Sequence, residues 1–463
     1  MKKHLRGGLR LLAFLLGFAL LLAFANRHFI KTDTVERMTI LEMQQRSDIE
    51  LAFVGSSIVR DHFNVQRISG QTGLTAFNAT VPMASMPASI AITKELLRTS
   101  SPEWIVLVTE PYNFQTVQES TEAYYKLAPY LSDPGNRLEY YLRTAREDGL
   151  YIDRLLMFRN FGADSLSEIA KTIGLRYWPE QTYERLLPTL DPTVSYQGGG
   201  FLRHETDERA TALVREGIRY EYTGYQYALY DGSKAHLREF MALCEESGAK
   251  LIIAIFPSLT AHALAEPGFI EYNESLMAFC RENGIPCFNF SYAKPELMPC
   301  LDEYFYDLYH MVGEGADILS DAFSRVFSAY AAGEDVSGLF YENRWQYVDA
   351  IDFITNAWVD VYRRGDRWSR NLRYPKDEIR QLAKTQDVFL ADCSRGTYVV
   401  PEYRFVLRNA DGSETLLRDY SEDGVYTCAP GALDGQTLRV YARAQGTAQA
   451  HWYDLAVESR DIP

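Results

Sequence analysis

An imidazole is the side chain best suited to moving a proton at neutral pH, and the 463-residue chain has eight: His4, His28, His62, His204, His236, His262, His310 and His451. His4 lies in a basic N-terminal stretch, and His28 abuts an apolar run. His451 falls among alternating segments near the C-terminus. His310 is set apart by Asp307, three residues before it, and by Gly315, five after it. A carboxylate at that offset on a loop can hold one ring nitrogen and leave the other for a nucleophile. The hydroxyl that fits stands in Gly55-Ser56-Ser57, directly after the apolar run at 49–54 (IELAFV). In a doubly wound sheet, ligands bind at the carboxyl ends of the strands. A serine on that first turn sits where helix N-terminal amides favour negative charge. A helix cap is the other use for such a sequence, since serine is a good N-cap. Together these groups suit acyl transfer, which needs an activated hydroxyl, a base with a pKa of about 7 and donors for an oxyanion.

Two more candidates fall at the same edge. Asn78 closes a second apolar run, and Met83 follows it closely. Asn113 follows a third run in the segment TEPYNF (109–114), where Glu110 is a competing polar group. The Met83 backbone N–H and the Asn113 side-chain amide are candidate oxyanion donors; a plain turn role is the alternative for each. No CxxC pair occurs, so no zinc site is expected, and no cofactor is expected either.

The elements that must position these groups alternate. Strands are expected at 49–54, 74–78 (LTAFN), 104–109 (WIVLVT), 250–256 (KLIIAIF) and 285–290 (IPCFNF). Helices are expected at 87–98 and 271–283, with a closing helix at 315–330. Alternation of this kind predicts an α/β fold, a parallel sheet covered on both faces. Residues 116–234 have no strong strand run and are far too long for an ordinary loop of about 2–6 residues. They read as a mostly helical insertion or lid, with Gly198-Gly199-Gly200 as a flexible turn. The insertion holds Tyr124, Tyr125, Tyr130, Tyr140, Tyr141, Tyr151, Tyr177, Trp178 and a group near Tyr220. These rings either stack on carbohydrate or form an aromatic core. The stretch 343–364 is helical and aromatic in pattern, so 336–385 reads as a helical connector. From 387 onward alternating segments are separated by turn signals at 409–412 and 430–431. This predicts a small antiparallel β domain, sandwich-like, over 386–463.

Four blocks in this order carry a resemblance: Gly55-Ser56-Ser57 after the first strand, Asn78 with Met83 after the second, Asn113 after the third, and Asp307-Leu308-Tyr309-His310 before the closing helix. Together they resemble the SGNH/GDSL hydrolase superfamily over roughly residues 48–330, insertion excluded. The resemblance implies a flavodoxin-like sheet of the SGNH type within 31–335. It implies Ser57 as nucleophile, Asp307 and His310 as its partners, and an oxyanion hole from Ser57, Met83 and Asn113. Ser56 replaces the usual aspartate of the family, Met83 stands where members carry glycine, and the third block is not Gly-x-Asn-Asp. The branch it is similar to includes DltD-like and alginate-acetylation-like proteins, exported or membrane-tethered partners of a polytopic membrane acyltransferase. The function implied is a serine esterase or O-acyltransferase acting on acyl, chiefly acetyl, esters of cell-surface or exported carbohydrate. A non-catalytic polymer-binding scaffold on a decayed fold is the alternative, with a lipase behind it.

The ends and the charge complete the picture. Lys2, Lys3, Arg6 and Arg10 precede an uncharged run at 11–26, closed by Arg27. The run is short of the ~20 residues of a full span, but flanking Arg side chains can snorkel. The basic side should stay cytoplasmic, which makes residues 1–30 an N-terminal signal anchor with the body extracytoplasmic. Ala23-Phe24-Ala25 also fits a cleavage site, which would make the protein secreted. The net charge of −15 argues against a nucleic-acid partner. Export permits disulfides. Cys393 with Cys428 is one expected pair and Cys287 with Cys300 a weaker one, against free buried thiols.

Overall fold

The computed structural model describes residues 2–30, 33–110, 121–148, 154, 156, 167, 170, 182–191, 194–208, 229, 231–265, 267–366 and 374–459. The chain opens with α1 (Lys2–His28). Its stretch Arg6–Asn26 has a mean hydropathy of 2.3 and none of it is buried. Helix α1 is therefore long and apolar enough to cross a bilayer, and a signal sequence has the same features. Ile30, just beyond it, already belongs to the core of the next unit.

That unit is α/β. Helix α2 (Val35–Gln44) is capped by Thr34, whose hydroxyl accepts the Arg37 N–H at 3.2 Å. Then come β1 (Leu51–Gly55), α3 (Ser57–His62), α4 (Val65–Thr72), β2 (Ala76–Thr80), α5 (Met86–Leu96) and β3 (Trp104–Thr109). The expected insertion contributes α6 (Thr121–Leu127), α7 (Pro134–Asp148), α8 (Tyr183–Leu186) and a hairpin of β4 (Tyr196–Gly198) and β5 (Phe201–Leu202). The unit ends with α9 (Asp231–Ser247), β6 (Lys250–Ile255), α10 (Thr260–Ala265), α11 (Pro267–Asn283), β7 (Cys287–Asn289) and α12 (Gly313–Ala331).

Five strands pair in parallel in the order β2-β1-β3-β6-β7. Counted within the sheet this is the doubly wound order 2-1-3-4-5, whose crevice opens between its first and third strands. The strands are continuously apolar because both faces are covered. Ala52 and Val54 join Ile105 and Leu107 in one layer, while Leu51 and Phe53 join Val106 and Val108 in the other. In the second layer Phe323 of α12 packs 4.8 Å from Phe53 and 5.8 Å from Phe63. That contact fastens the closing helix to β1 and to the end of α3.

Five of the insertion tyrosines are settled. Tyr124, Tyr125, Tyr130, Tyr140 and Tyr141 are all buried in the first layer, and Tyr124 stacks on Tyr140 at 5.1 Å. Burial removes these five from any sugar-stacking surface. Tyr151, Tyr177, Trp178 and Tyr220 lie outside the described residues.

A separate antiparallel β region follows α13 (Arg344–Ala350). Its strands are β8 (Ile354–Tyr362), then, after α14 (Lys376–Leu382), β9 (Asp387–Arg395), β10 (Pro401–Arg408), β11 (Glu414–Ser421), β12 (Val425–Cys428), β13 (Thr437–Ala444) and β14 (Ala450–Ala456). Sheets β12-β9-β8 and β11-β10-β13-β14 share one core, which includes Ala357, Phe389, Phe405 and Val440. The helical reading of 343–364 is corrected. The helix stops at Ala350, and Ile354–Tyr362 is a strand antiparallel to β9. Ile354, Thr355, Val359 and Val361 are β-branched and suit a pleated surface, so the β region begins inside the expected connector.

The six cysteines are free thiols, three of them buried, which is the alternative to both disulfide pairs. For the favoured pair the register gives the reason. Cys428 lies opposite Asp387, and Cys393 stands further along the same strand β9. At about 3.3 Å per residue the two are ~20 Å apart, far beyond the ~7 Å Cα limit of a disulfide.

Candidate functional site

Strand β1 ends at Gly55. A Cβ there would come within 2.7 Å of the Val108 carbonyl oxygen and of Val59 Cγ2, so only glycine lets the chain turn from β1 into α3 beside β3. Ser56 caps α3, its Oγ accepting the Ile58 N–H at 3.3 Å. The same hydroxyl donates to the Glu110 carboxylate just past β3. From β2, the Thr80 hydroxyl lies 2.6 Å from the Gly55 carbonyl and 2.5 Å from that of Ser56. Three strand ends thus hold the turn that carries Ser57, and a site held by rigid elements keeps its geometry.

Ser57 Oγ lies 2.9 Å from His310 Nε2. On the other side of the ring, Nδ1 is 2.9 Å from Asp307 Oδ2 and 3.1 Å from Oδ1. An ionised carboxylate only accepts, so Nδ1 carries the proton and the Nε2 lone pair faces the serine hydroxyl. Asp307 Oδ1 also accepts the backbone N–H groups of Tyr309 and His310, each at 2.7 Å. The loop is closed beneath by Tyr306 N–H donating to the His310 carbonyl at 2.8 Å. Asp307 and His310 reach the turn because α12, which begins at Gly313, packs on α3 and α4.

The surroundings raise the proton affinity of His310. Burial opposes the charged ring, but the Asp307 hydrogen bond and the carboxylates of Asp61 and Glu110 outweigh it and raise its pKa. Burial also opposes the ionised Asp307. The His310 ring and the two backbone N–H bonds outweigh that and lower its pKa. For Glu110, desolvation prevails over the Ser56 hydrogen bond and raises the pKa.

Three further residues stand at the site that the sequence did not single out. Asp61, 1% exposed at its side chain, takes the Arg60 guanidinium at 2.6 Å and 3.0 Å. Its Oδ2 stands 3.3 Å from His204 Nε2 and 4.0 Å from His310 Nε2. Burial works against the Asp61 charge, yet Arg60 and His204 hold its carboxyl well below the usual range. The signal available was spacing, because Asp61 is four residues after Ser57 and shares its face of a helix. His62 is fully buried, stacks on Phe256 at 4.6 Å and accepts the Met311 N–H through Nε2 at 2.7 Å. Desolvation, aided by the neighbouring His310 charge, lowers its pKa to about 3, so it is a neutral structural ring.

His204 comes from the insertion. The expected flexible turn at Gly198, Gly199 and Gly200 is instead a fixed dock, with φ of 86°, 63° and 77°. Gly199 N–H donates to Glu42 of α2 at 2.8 Å and 3.0 Å, and Asn78 N–H donates to the Gly199 carbonyl at 2.8 Å. A side chain on Gly200 would collide with the Asn78 carbonyl. The dock leads through β5 to His204, whose carbonyl accepts the Gly313 N–H at 2.7 Å and whose ring lies 5.1 Å from that of Tyr306. Only the fold brings it here.

The candidate oxyanion residues fare unevenly. Met83 follows β2 in a left-handed conformation, φ 60°, where glycine is the usual residue. Asn78 is fully buried, and its amide donates to the carbonyls of Val59 at 3.1 Å and Phe63 at 2.8 Å. It therefore braces the end of α3. Asn113 lies outside the described residues. Among the described residues no group of three or more His, Cys, Asp or Glu side chains could hold a metal ion.

No family model matches the chain, and no curated protein matches it. Among solved structures the chain is similar to the endo-β-1,4-mannanase from Thermotoga petrophila at 12% identity, over 93% of this chain and 96% of that one. The TM-score of that likeness is 0.16, too low to say anything of fold or function.

Proposed function

We propose that the chain is an extracytoplasmic serine esterase or O-acyltransferase of the SGNH type, acting on acyl esters, chiefly acetyl, of cell-surface or exported carbohydrate. The observation that supports it most is the continuous line from Ser57 Oγ to His310 Nε2 and from His310 Nδ1 to Asp307 Oδ2, 2.9 Å at each step. Ser57 Oγ attacks the ester carbonyl carbon while its proton passes to His310 Nε2. Asp307 holds the tautomer and stabilises the imidazolium. The oxyanion takes hydrogen bonds from the backbone N–H groups of Ser57 and Met83 and from the Asn113 amide. His310 then returns its proton to the leaving alkoxide, and the acyl group rests on Ser57. Water or a sugar hydroxyl attacks that ester, gives its proton to His310 and releases the acyl group, after which Ser57 is reprotonated. The carbohydrate substrate, and a polytopic membrane acyltransferase as partner, rest on the sequence resemblance and on the apolar helix α1.

The test is labelling of the full-length protein in detergent with a small fluorophosphonate, alongside turnover of an activated acetyl ester. Wild type should label, and Ser57→Ala and His310→Ala should not. Each loss should lower turnover by about 10⁴-fold or more, and the two should not add. The absence of both Ser57-dependent labelling and Ser57-dependent turnover would sink the proposal and leave the polymer-binding scaffold.

A further inference from the structure

We propose that Asp61 is a second carboxylate of the site, a positioning residue that stabilises protonated His310 from the side opposite Asp307 and gathers His204 to the same point. The inference rests on the reading of His310 as the base. Asp61 Oδ2 faces two imidazole nitrogens, His310 Nε2 at 4.0 Å and His204 Nε2 at 3.3 Å. A base flanked by Asp307 alone would need no buried anion beside the nitrogen that receives the serine proton. Here that anion is 1% exposed, so solvent screens it little. It is fixed from behind by two hydrogen bonds from Arg60, and from its own helix it reaches over the same ring that Ser57 touches.

The groups facing His310 come from several elements. Asp307 and Tyr306 belong to its own loop, the latter stacked at 5.9 Å. Asp61 and His62 come from α3, His62 with its ring 5.8 Å away. Glu110 follows β3, and His204 comes from the insertion. His62 is neutral above about pH 3, so it contributes no competing positive charge in the working range. The carboxyl groups on this list are Asp307, Asp61 and Glu110; burial raises the pKa of Glu110, whereas Asp61 is held ionised and stands 4.0 Å from the proton-accepting nitrogen. When Nε2 gains the serine proton, the positive charge has an anion on both flanks. His204 brings its own buried Nε2 to 3.3 Å from the same Asp61 oxygen.

A merely structural Asp61 would do no more than pair Arg60, and the two roles differ in one readout. A nearby opposite charge raises an imidazole pKa by about 1–3 units, and Arg60 behind Asp61 places the effect at the low end. In full-length Asp61→Asn, the His310 titration followed by NMR should move down by about one pH unit relative to wild type. The acid limb of kcat/KM, which reports the free base, should move down with it, while kcat at the plateau falls about tenfold. A structural role scales the whole profile and leaves the limb in place; that result overturns the proposal. If Asp61→Asn does not fold, the double variant Arg60→Gln/Asp61→Asn removes both members of the pair. It should lower the His310 midpoint less, but in the same direction, and an unchanged or higher midpoint is again a refutation. The NMR midpoint does not depend on turnover. A shifted His310 without Ser57-dependent labelling would sink the enzyme and keep this electrostatic link, and labelling with an unmoved midpoint would do the reverse.

Discussion

Replacing Asp307 by Asn should cost far more activity than stability, and the hydrogen bonds show why. Asp307 Oδ1 accepts two backbone N–H groups at 2.7 Å, and that position can hold only an acceptor. An asparagine therefore keeps its carbonyl oxygen there and turns its NH₂ toward His310 Nδ1. Two donors now face each other unless the ring changes tautomer. Once it does, the proton sits on Nε2, pointing at Ser57 Oγ, and the lone pair that would accept the serine proton is gone. A tautomer trap of this kind lowers turnover about 10⁴-fold, or ~5.5 kcal/mol at about 1.36 kcal/mol per factor of ten. Both backbone bonds survive, and the side chain is 43% exposed, so the melting temperature should stay within a few degrees. The assay is single-turnover acylation by an activated acetyl ester, with fluorophosphonate labelling rate as a second measure. A loss of less than tenfold in a folded protein would refute the reasoning. It would mean that Asp61, not Asp307, sets the ring.

Asn78→Ala leaves the Phe63 carbonyl without its buried donor, at about 1–3 kcal/mol, while the Val59 carbonyl keeps the Phe63 N–H at 3.3 Å. Chemical denaturation should show a loss of at least ~1 kcal/mol, and a loss under ~0.5 kcal/mol would exclude Asn78 as the brace of α3. Met83→Gly removes a left-handed non-glycine residue, a strain of about 1–2 kcal/mol, at the proposed oxyanion donor. Stability should rise by up to ~1 kcal/mol with kcat within about fivefold of wild type. Destabilisation would show that the Met83 side chain, not its backbone, is what the position needs.

Much of the sheet was legible because buried parallel strands write continuous apolar runs, and 49–54, 104–109 and 250–256 do so without interruption. Helix α2 was not, because VERMTILEMQ carries only a short apolar face beside its charges. Strand β8 was misread since Asn356, Asp360 and the aromatic rings around them blur the two-residue alternation. Ser57, Asp307 and His310 stood out by residue type and spacing, and the fold brings them together. Asp61 is hidden in Arg60-Asp61-His62, a run that reads as a solvated helix end until α12 and the insertion cover it. His204 is 106 positions from the base it approaches; no local pattern relates the two, only the triple-glycine dock against β2.

Helix α1 and the α/β core are joined almost without slack. His28 ends the helix, and Ile30 is already wedged into the packed layer under the sheet, 4% exposed. A chain held in a bilayer by α1 would therefore keep its body close to the lipid, without the reach of a long tether.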